Sequence, residues 1–172
     1  MPLQIIGKFL SLLNSNTRLA HLALGGAFGV FLGLLPANSL IWIVLFLLLF
    51  FTKINYRFQV IIMGLIKLSS PLYAAALDEL GLAILTVPSL QDFFTNLATI
   101  PLFWLTRYNN SMVAGGFVAG MALLLPTGLI FALLIHLYRL KLEPLVAKSK
   151  LMLAIKRLPL VTKMAKLANS NQ

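Results

Sequence analysis

A long run without charge is the feature that most constrains this chain. Between Arg18 and Lys53 there is no Asp, Glu, Lys or Arg. Its apolar part, residues 19–51, is far longer than the about 20 residues with which an α-helix crosses a bilayer once. The run must therefore turn back, and Pro36-Ala37-Asn38-Ser39 supplies the residue types of a turn. Residues 19–51 are predicted to form a Pro-broken helical hairpin.

A second charge-free run lies between Arg107 and Arg139. Pro126 stands near its middle, so residues 109–138 are predicted to form a second Pro-broken hairpin. Aligning Pro126 with Pro36 also aligns a glycine pair and a dileucine, which is the pattern of an internal duplication, although any apolar hairpin needs small residues and a proline turn. Each hairpin fits a re-entrant loop or a pair of short spanning helices.

The composition places these runs in a membrane. Hydrophobic residues make up 60% of the 172 residues and charged residues only 10%, whereas soluble domains carry about 25% charged residues. We therefore expect an all-α integral membrane protein, with the two hairpins around two central transmembrane segments at residues 58–77 and 93–106. Residues 1–140 are predicted to be the membrane domain.

The two ends are predicted to lie at the membrane surface as interfacial helices. The N-terminal apolar stretch is too short to span and is expected to be retained rather than cleaved. Residues 141–172 hold seven Lys or Arg against the single acid Glu143, which indicates a basic cytoplasmic tail. The net charge of +10 then points to anionic lipid headgroups and not to nucleic acid.

The positions of the charges predict the topology. Arg18, Arg57, Arg107 and Arg139 are candidate interface anchors on the cytoplasmic side, because each charge-free run is expected to return to its own side. Residues 78–92 contain three of the four acids and no Lys or Arg, so they are predicted to face outward. Both termini are then cytoplasmic.

Two sets of glycines are candidate helix-packing positions. Gly25, Gly29 and Gly33 recur every four residues, so they form a smooth ridge on one helix face, and Gly116 with Gly120 repeats the spacing. A ridge of this kind lets another backbone approach closely. The alternative is a close approach to a substrate.

Prolines and polar residues within the apolar segments are candidate contacts to lipid or substrate. A proline inside a helix leaves the carbonyl four residues earlier without its donor. In a membrane that carbonyl needs a hydroxyl, an amide or a water-filled cavity, unless the proline only marks a turn near the surface. The candidates are Pro36, Asn38, Ser70, Pro71 and Pro126.

Lys67 is the sharpest single candidate. If residues 58–77 cross the bilayer, Lys67 lies near the middle, where a charge costs about 2.5–3.5 kcal/mol. An anionic ligand such as a lipid phosphate would suit it there. Alternatively, Ser69-Ser70-Pro71 ends a short helix and Lys67 extends its ammonium to the headgroups.

Nothing in the sequence indicates an enzyme. The chain has no cysteine and only two histidines, and no Ser-His-Asp or His-Glu set converges. No catalytic group, metal or cofactor is expected.

Several short motifs follow one another in an order that resembles a known family. They are residues 23–36 (ALGGAFGVFLGLLP), Lys53-Ile54-Asn55, Ser70-Pro71-Leu72-Tyr73 and Leu80-Gly81. Together they resemble the uncharacterised bacterial membrane family catalogued as domain of unknown function 2062. Residues 107–115 (RYNNSMVAG) and the ending Tyr138-Arg139 are similar to a narrower subfamily.

The resemblance implies a location and a partner. Members of the narrower group look like bacterial inner-membrane proteins that are often encoded beside a long protein thought to bridge two membranes for lipid transfer. We therefore expect a partner in phospholipid transport that supplies or anchors a periplasm-spanning bridge protein. The alternatives are a small-solute permease and a structural assembly subunit without transport activity.

Overall fold

All regular secondary structure in the described part of the chain is helical. The computed structural model describes residues 18–142, with side chains to residue 140, and this part contains no strand. The prediction of an all-α fold is confirmed. Arg18–Ala132 form one compact unit, and Leu133–Gln172 belong to a second. The predicted tail and terminal interfacial helices lie outside the described residues.

Six α-helices are present between residues 18 and 142. They are α1 Leu19–Leu34, α2 Leu40–Phe50, α3 Tyr56–Leu68, α4 Ser70–Leu85, α5 Gln91–Ala98 and α6 Ser111–Leu137. Two short 3-10 turns, Pro88–Leu90 and Phe103–Thr106, flank α5, and a π-helical turn, Tyr138–Leu142, follows α6.

The first charge-free run turns at the predicted stretch. Helix α1 ends because Leu35 is extended (φ −78°, ψ 137°), the conformation favoured before a proline. Ser39 then caps α2: its hydroxyl oxygen accepts from the Trp42 N–H and its hydroxyl donates to the Pro36 carbonyl at 2.9 Å. The run is a helical hairpin with its tip at residues 35–39.

Helix α1 packs along α3 through the predicted glycine ridge. A Cβ atom added at Gly25 would lie 2.8 Å from the Asn55 carbonyl oxygen, and one at Gly29 would lie 2.7 Å from the Gln59 carbonyl oxygen. Further along, a Cβ at Gly33 would lie 2.6 Å from the Ile66 Cβ. Residue numbers rise together along both helices, so α1 and α3 are parallel and end side by side.

Helix α6 packs antiparallel on another side of α1. A Cβ at Gly116 would lie 2.8 Å from the Leu34 carbonyl oxygen, one at Gly120 would meet the Phe31 ring, and Gly128 lies near Ala27. Numbers rise along α6 as they fall along α1. The N-terminal end of α6 therefore lies at the level of the hairpin tip.

The prediction of a second hairpin at residues 109–138 is wrong, because Pro126 lies inside the continuous helix α6. No cap follows this proline. The Thr127 hydroxyl donates back to the Leu123 carbonyl oxygen of the same helix at 2.6 Å.

Neither predicted central segment is one straight helix. Residues 58–77 are divided at Ser69, where α3 and α4 meet with a bend of 82°, and Pro71 stands in the first turn of α4, where a proline is tolerated. Residues 93–106 contain most of α5 and a separate 3-10 turn. The residue before that turn, Leu102, has a left-handed backbone with φ 66°.

Helices α4 and α6 cross at two glycines. A Cβ at Gly81 would run into the Ser111 carbonyl, and a Cβ at Gly115 would run into the Leu77 carbonyl. Beside this crossing the Ser111 hydroxyl donates to the Asp78 carboxylate. The crossing ties the acidic segment to the N-terminal end of α6.

Among the described residues, one helix is long and apolar enough to cross a membrane. It covers Ser111–Leu140, and the bent pair α3–α4 makes a second candidate if the pair counts as one span. Helices α1 and α2 are apolar but shorter.

Candidate functional site

A polar cluster lies at the tip of the hairpin, where α1 ends, α2 begins and α3 ends. We call it the junction. Because α1 and α3 are parallel, their last carbonyl groups lie side by side without intrahelical donors. The junction consists of four side chains, Ser39, Trp42, Lys67 and Tyr73, and the carbonyl oxygens they contact.

Lys67 stands in the last turn of α3, beside the hairpin tip. Its ammonium donates to the Leu35 carbonyl oxygen at 2.7 Å and lies 5.4 Å from the centre of the Trp42 ring, a cation–π distance. The side chain is half-buried. The 82° bend two residues later, at Ser69, places Lys67 at a helix end and not in the middle of a straight span.

Trp42 connects the junction to the core. Its indole N–H donates to the Leu32 carbonyl oxygen at 2.9 Å, which is the carbonyl that Pro36 would leave without a helical donor. The ring stacks on Phe46 with centroids 5.1 Å apart. It also packs against the buried cluster that contains Phe31.

Tyr73 joins the ends of the two parallel helices. Its hydroxyl lies 2.7 Å from the Ile66 carbonyl oxygen of α3 and 3.4 Å from the Gly33 carbonyl oxygen of α1. The close contact to Ile66 is the stronger hydrogen bond. Ser39 is fully buried and completes the set through the Pro36 carbonyl oxygen.

Helix ends of both polarities meet at the junction. The C-terminal ends of α1 and α3 carry a partial negative charge, and the N-terminal ends of α2 and α4, which begin at Leu40 and Ser70, carry a partial positive charge. Lys67 supplies the positive charge, and the Trp42 ring presents its electron-rich face. The arrangement can hold an ammonium group by hydrogen bonding and cation–π attraction together.

The structure brings some of the candidate contact residues to the junction. Pro36 is half-buried at the hairpin tip, and Asn38 is exposed beside it. Ser70 and Pro71 open α4 directly after the bend. Pro126 is not there, since it lies ten residues beyond Gly116 along α6, about 15 Å along the helix axis.

The sequence analysis missed Trp42, Tyr73 and Ser39 as members of the junction. Ser39 could have been found as an N-cap before an apolar helix. Trp42 and Tyr73 are ordinary aromatic residues of apolar segments, and only the parallel packing of α1 on α3 brings carbonyl oxygens to them.

The four candidate anchors lie next to the ends of helices. Arg18 and Arg57 are exposed near the starts of α1 and α3, and the Asn55 N–H donates to the His21 carbonyl oxygen there at 3.2 Å. Arg107 precedes α6 and Arg139 follows it. Arg107 and Arg139 are not the two ends of a hairpin, because the single helix α6 separates them in the chain.

Comparisons with known proteins give a relative without an assigned function. No protein-family model and no solved structure matches the chain. An uncharacterised protein of Treponema pallidum (strain Nichols) is 34% identical over 148 residues, which cover 86% of this chain and 91% of that protein. The chain therefore belongs to the same family as this Treponema pallidum protein.

Proposed function

We propose that this protein is a bacterial inner-membrane protein that handles phospholipid and supplies it to a periplasm-spanning bridge protein. The observation that carries the proposal is the position of Lys67: its half-buried ammonium lies at the end of a short apolar hairpin. A lipid phosphate is the anionic group that a lysine meets at such a place.

The surface of the described helices supports a location in the membrane. Large apolar side chains are exposed along α2, among them Val44, Leu47 and Leu48, and along α6, among them Leu125 and Leu129. Soluble monomers rarely expose contiguous apolar surface of this kind. Acyl chains are the natural cover for it.

The lengths of the helices support local contact with headgroups. Helix α6 has 27 residues, about 40 Å, whereas α1 has 16, about 24 Å, and the hydrocarbon core is about 30 Å thick. If α1 starts at one interface, it is too short to reach the other, whereas α6 is long enough to reach it. A mismatch of this kind thins the bilayer locally, which lowers the barrier to moving a headgroup.

In this proposal the lipid phosphate binds to Lys67. An ammonium has three N–H donors, and one of them donates to the Leu35 carbonyl oxygen. The proposal assigns the other donors to the phosphate. The apolar side chains of α2 begin one residue after Trp42 and give the acyl chains a surface to follow.

The arrangement of the helices supports a topology with both termini in the cytoplasm. Helices α1 and α3 start at one end of the unit, and α6 starts at the other. Asp78 contacts the first residue of α6, Ser111, so the acidic segment and Arg107 share that second end. The proposal places it in the periplasm, which leaves the basic residues Arg18 and Lys53 inside.

Cysteine labelling tests this topology, because the natural chain has no cysteine. We expect Ser89→Cys and Asn109→Cys to react with a membrane-impermeant maleimide in cells with a permeabilised outer membrane. Thr52→Cys should react only after lysis. Asn109 decides between one α6 helix and a hairpin, because a hairpin would put it in the cytoplasm with Thr52.

Phospholipid transfer by reconstituted protein tests the function. We expect proteoliposomes to move a fluorescent phospholipid faster than protein-free vesicles, and Lys67→Ala to lower this rate by roughly tenfold, the equivalent of one charge-assisted hydrogen bond. Lys53→Ala is the matched control, since Lys53 is an exposed lysine at the opposite end of the unit, and it should leave the rate unchanged.

One combined result would contradict the proposal. Equal rates with and without the protein, together with no co-purification of a bridge protein, would remove the lipid function. In that case the permease and assembly alternatives are compared, by uptake of a labelled solute and by complex formation of Gly29→Leu.

Membership in the family of domain of unknown function 2062 stays a prediction.

A further inference from the structure

We propose that the outer face of α4 is a docking surface for one helix of a second protein, and that this helix carries a Lys or Arg that pairs with Glu79. The proposal rests on the spacing, exposure and charge of α4 and does not depend on lipid transport. We call the face the α4 seam, and it consists of Leu72, Ala75, Glu79, Leu82 and Thr86.

The first argument is the spacing of the α4 seam. Its residues follow one another at intervals of three, four, three and four, the spacing at which side chains line up along the contact between two helices. All five are exposed, Leu72 by 88% and Leu82 by 57%. The opposite face of α4 is the one used inside the unit, since Leu77 and Gly81 are buried at the crossing with α6.

The second argument is the charge at the centre of the α4 seam. The Asp78 carboxylate accepts from the Ser111 hydroxyl and so belongs to the fold. The neighbouring Glu79 carboxylate has no hydrogen bond or ion pair with another residue of the described chain, and residues 68–106 contain no Lys or Arg. A carboxylate among apolar side chains gains most from an opposite charge within about 4 Å. The complement of the seam is therefore an apolar helix face with a basic residue near its middle.

The third argument excludes other occupants of the α4 seam. Glu79 is the central residue of the five, so a symmetric dimer in register would bring two Glu79 carboxylates together, whether the helices ran parallel or antiparallel. A lipid phosphate would repel the carboxylate, and an acyl chain has no donor for it. The basic tail of the same chain follows α6, whose 27 residues, about 40 Å, separate it in the chain from the crossing with α4.

The side chains of the α4 seam suit such a partner. Ala75 lies one turn before Glu79 on the same face, and its small side chain leaves room for the methylene groups of an incoming Lys or Arg. Leu72 and Leu82 stand on either side and offer apolar anchors at the spacing used when a helix docks lengthwise. The seam therefore selects for charge at its centre and for apolar contact at its ends.

Disulfide trapping on the full chain tests this selectivity, because the chain has no natural cysteine. The probes are two synthetic helical peptides as long as α4, 16 residues, with leucines at the spacing of the α4 seam and a central Lys in one or a central Glu in the other. Each carries one cysteine beside its centre as a mixed disulfide with glutathione, which the protein thiolate displaces. Ala75→Cys places that thiolate on the seam. Ala76→Cys is the matched control, since Ala76 is also exposed but stands about 100° further round the helix.

We expect Ala75→Cys to form the cross-link with the Lys peptide roughly tenfold faster than with the Glu peptide, the equivalent of one charge pair. Ala76→Cys should react slowly with both. Adding Glu79→Lys to Ala75→Cys should reverse the preference, whereas adding Asp92→Asn, which removes an exposed acid of α5, should leave it unchanged. Equal rates for the two peptides at residue 75, or a preference that survives Glu79→Lys, would overturn the proposal.

A photo-crosslinking amino acid at residue 75 extends the test to cells. We expect an adduct with another protein whose linked segment is a helix with a Lys or Arg among apolar residues, and we expect Glu79→Lys to abolish this adduct while Asp92→Asn preserves it. An adduct with a second copy of the chain, an adduct with lipid alone, or no adduct would contradict the proposal. Phospholipid movement by Glu79→Lys proteoliposomes should equal that of the wild type, so loss of docking is distinguishable from loss of the lipid function.

Discussion

Replacing Gly81 with alanine should lower the free energy of unfolding by about 3 kcal/mol, the upper part of the range for overpacking. A Cβ atom at Gly81 would run into the Ser111 carbonyl and lie 2.7 Å from the Gly115 backbone nitrogen. Backbone atoms cannot move away by changing a rotamer, so α4 and α6 must separate. Separation also pulls Asp78 away from the Ser111 hydroxyl.

Gly64→Ala is the matched control for this prediction. Gly64 is also a helix-interior glycine, but a Cβ there would have no atom within 4 Å. Alanine is favoured over glycine in a helix by about 1 kcal/mol, so Gly64→Ala should leave stability unchanged or raise it slightly. Thermal unfolding followed by circular dichroism in one detergent compares the two. A Gly81→Ala protein as stable as Gly64→Ala would show that α4 and α6 do not cross at these glycines.

The two charge-free runs show what the sequence could and could not predict. Both contain a central proline, and only the first one turns. Pro36 is followed by Asn38 and Ser39, and Ser39 caps a new helix. Pro126 is followed by Thr127, whose hydroxyl donates back into its own helix. A proline with an N-cap after it starts a second helix, whereas a proline without one is accommodated.

The packing face of α1 could be predicted from a local pattern, but the relative directions of the helices could not. The glycine spacing of α1 indicates a ridge for close packing, and Gly25, Gly29 and Gly33 lie against α3. No local signal states that α3 runs parallel to α1 and α6 antiparallel. Nor does a local signal state that α6 runs unbroken through Pro126, between Arg107 and Arg139.

The candidate site was only partly predictable for the same reason. Lys67 could be singled out because it is a lone charge in an apolar segment. Its partners are the Leu35 carbonyl oxygen and the Trp42 ring, which lie more than twenty residues earlier in the chain. A backbone carbonyl has no signature in a sequence, so a site made mainly of carbonyl oxygens becomes visible only in the fold.

Replacing Trp42 with alanine should destabilise the protein by about 3 kcal/mol, the lower part of the range for truncating a packed aromatic side chain, since Trp42 is only half-buried. The change removes the donor to the Leu32 carbonyl oxygen, the stacking on Phe46 and the ring beside the Lys67 ammonium. Trp42→Phe keeps a ring and loses the N–H, so it should cost about 1 kcal/mol.

Trp104→Ala supplies the control, because Trp104 is the other tryptophan of the chain and its side chain is 69% exposed. Its loss should change the Tm by little. The order of Tm values should therefore be wild type and Trp104→Ala together, then Trp42→Phe, then Trp42→Ala. If Trp42→Phe were as damaging as Trp42→Ala, the single hydrogen bond to Leu32 would dominate the junction. If it were harmless, the ring alone would hold the hairpin tip, and the Leu32 carbonyl would have to obtain a donor from elsewhere.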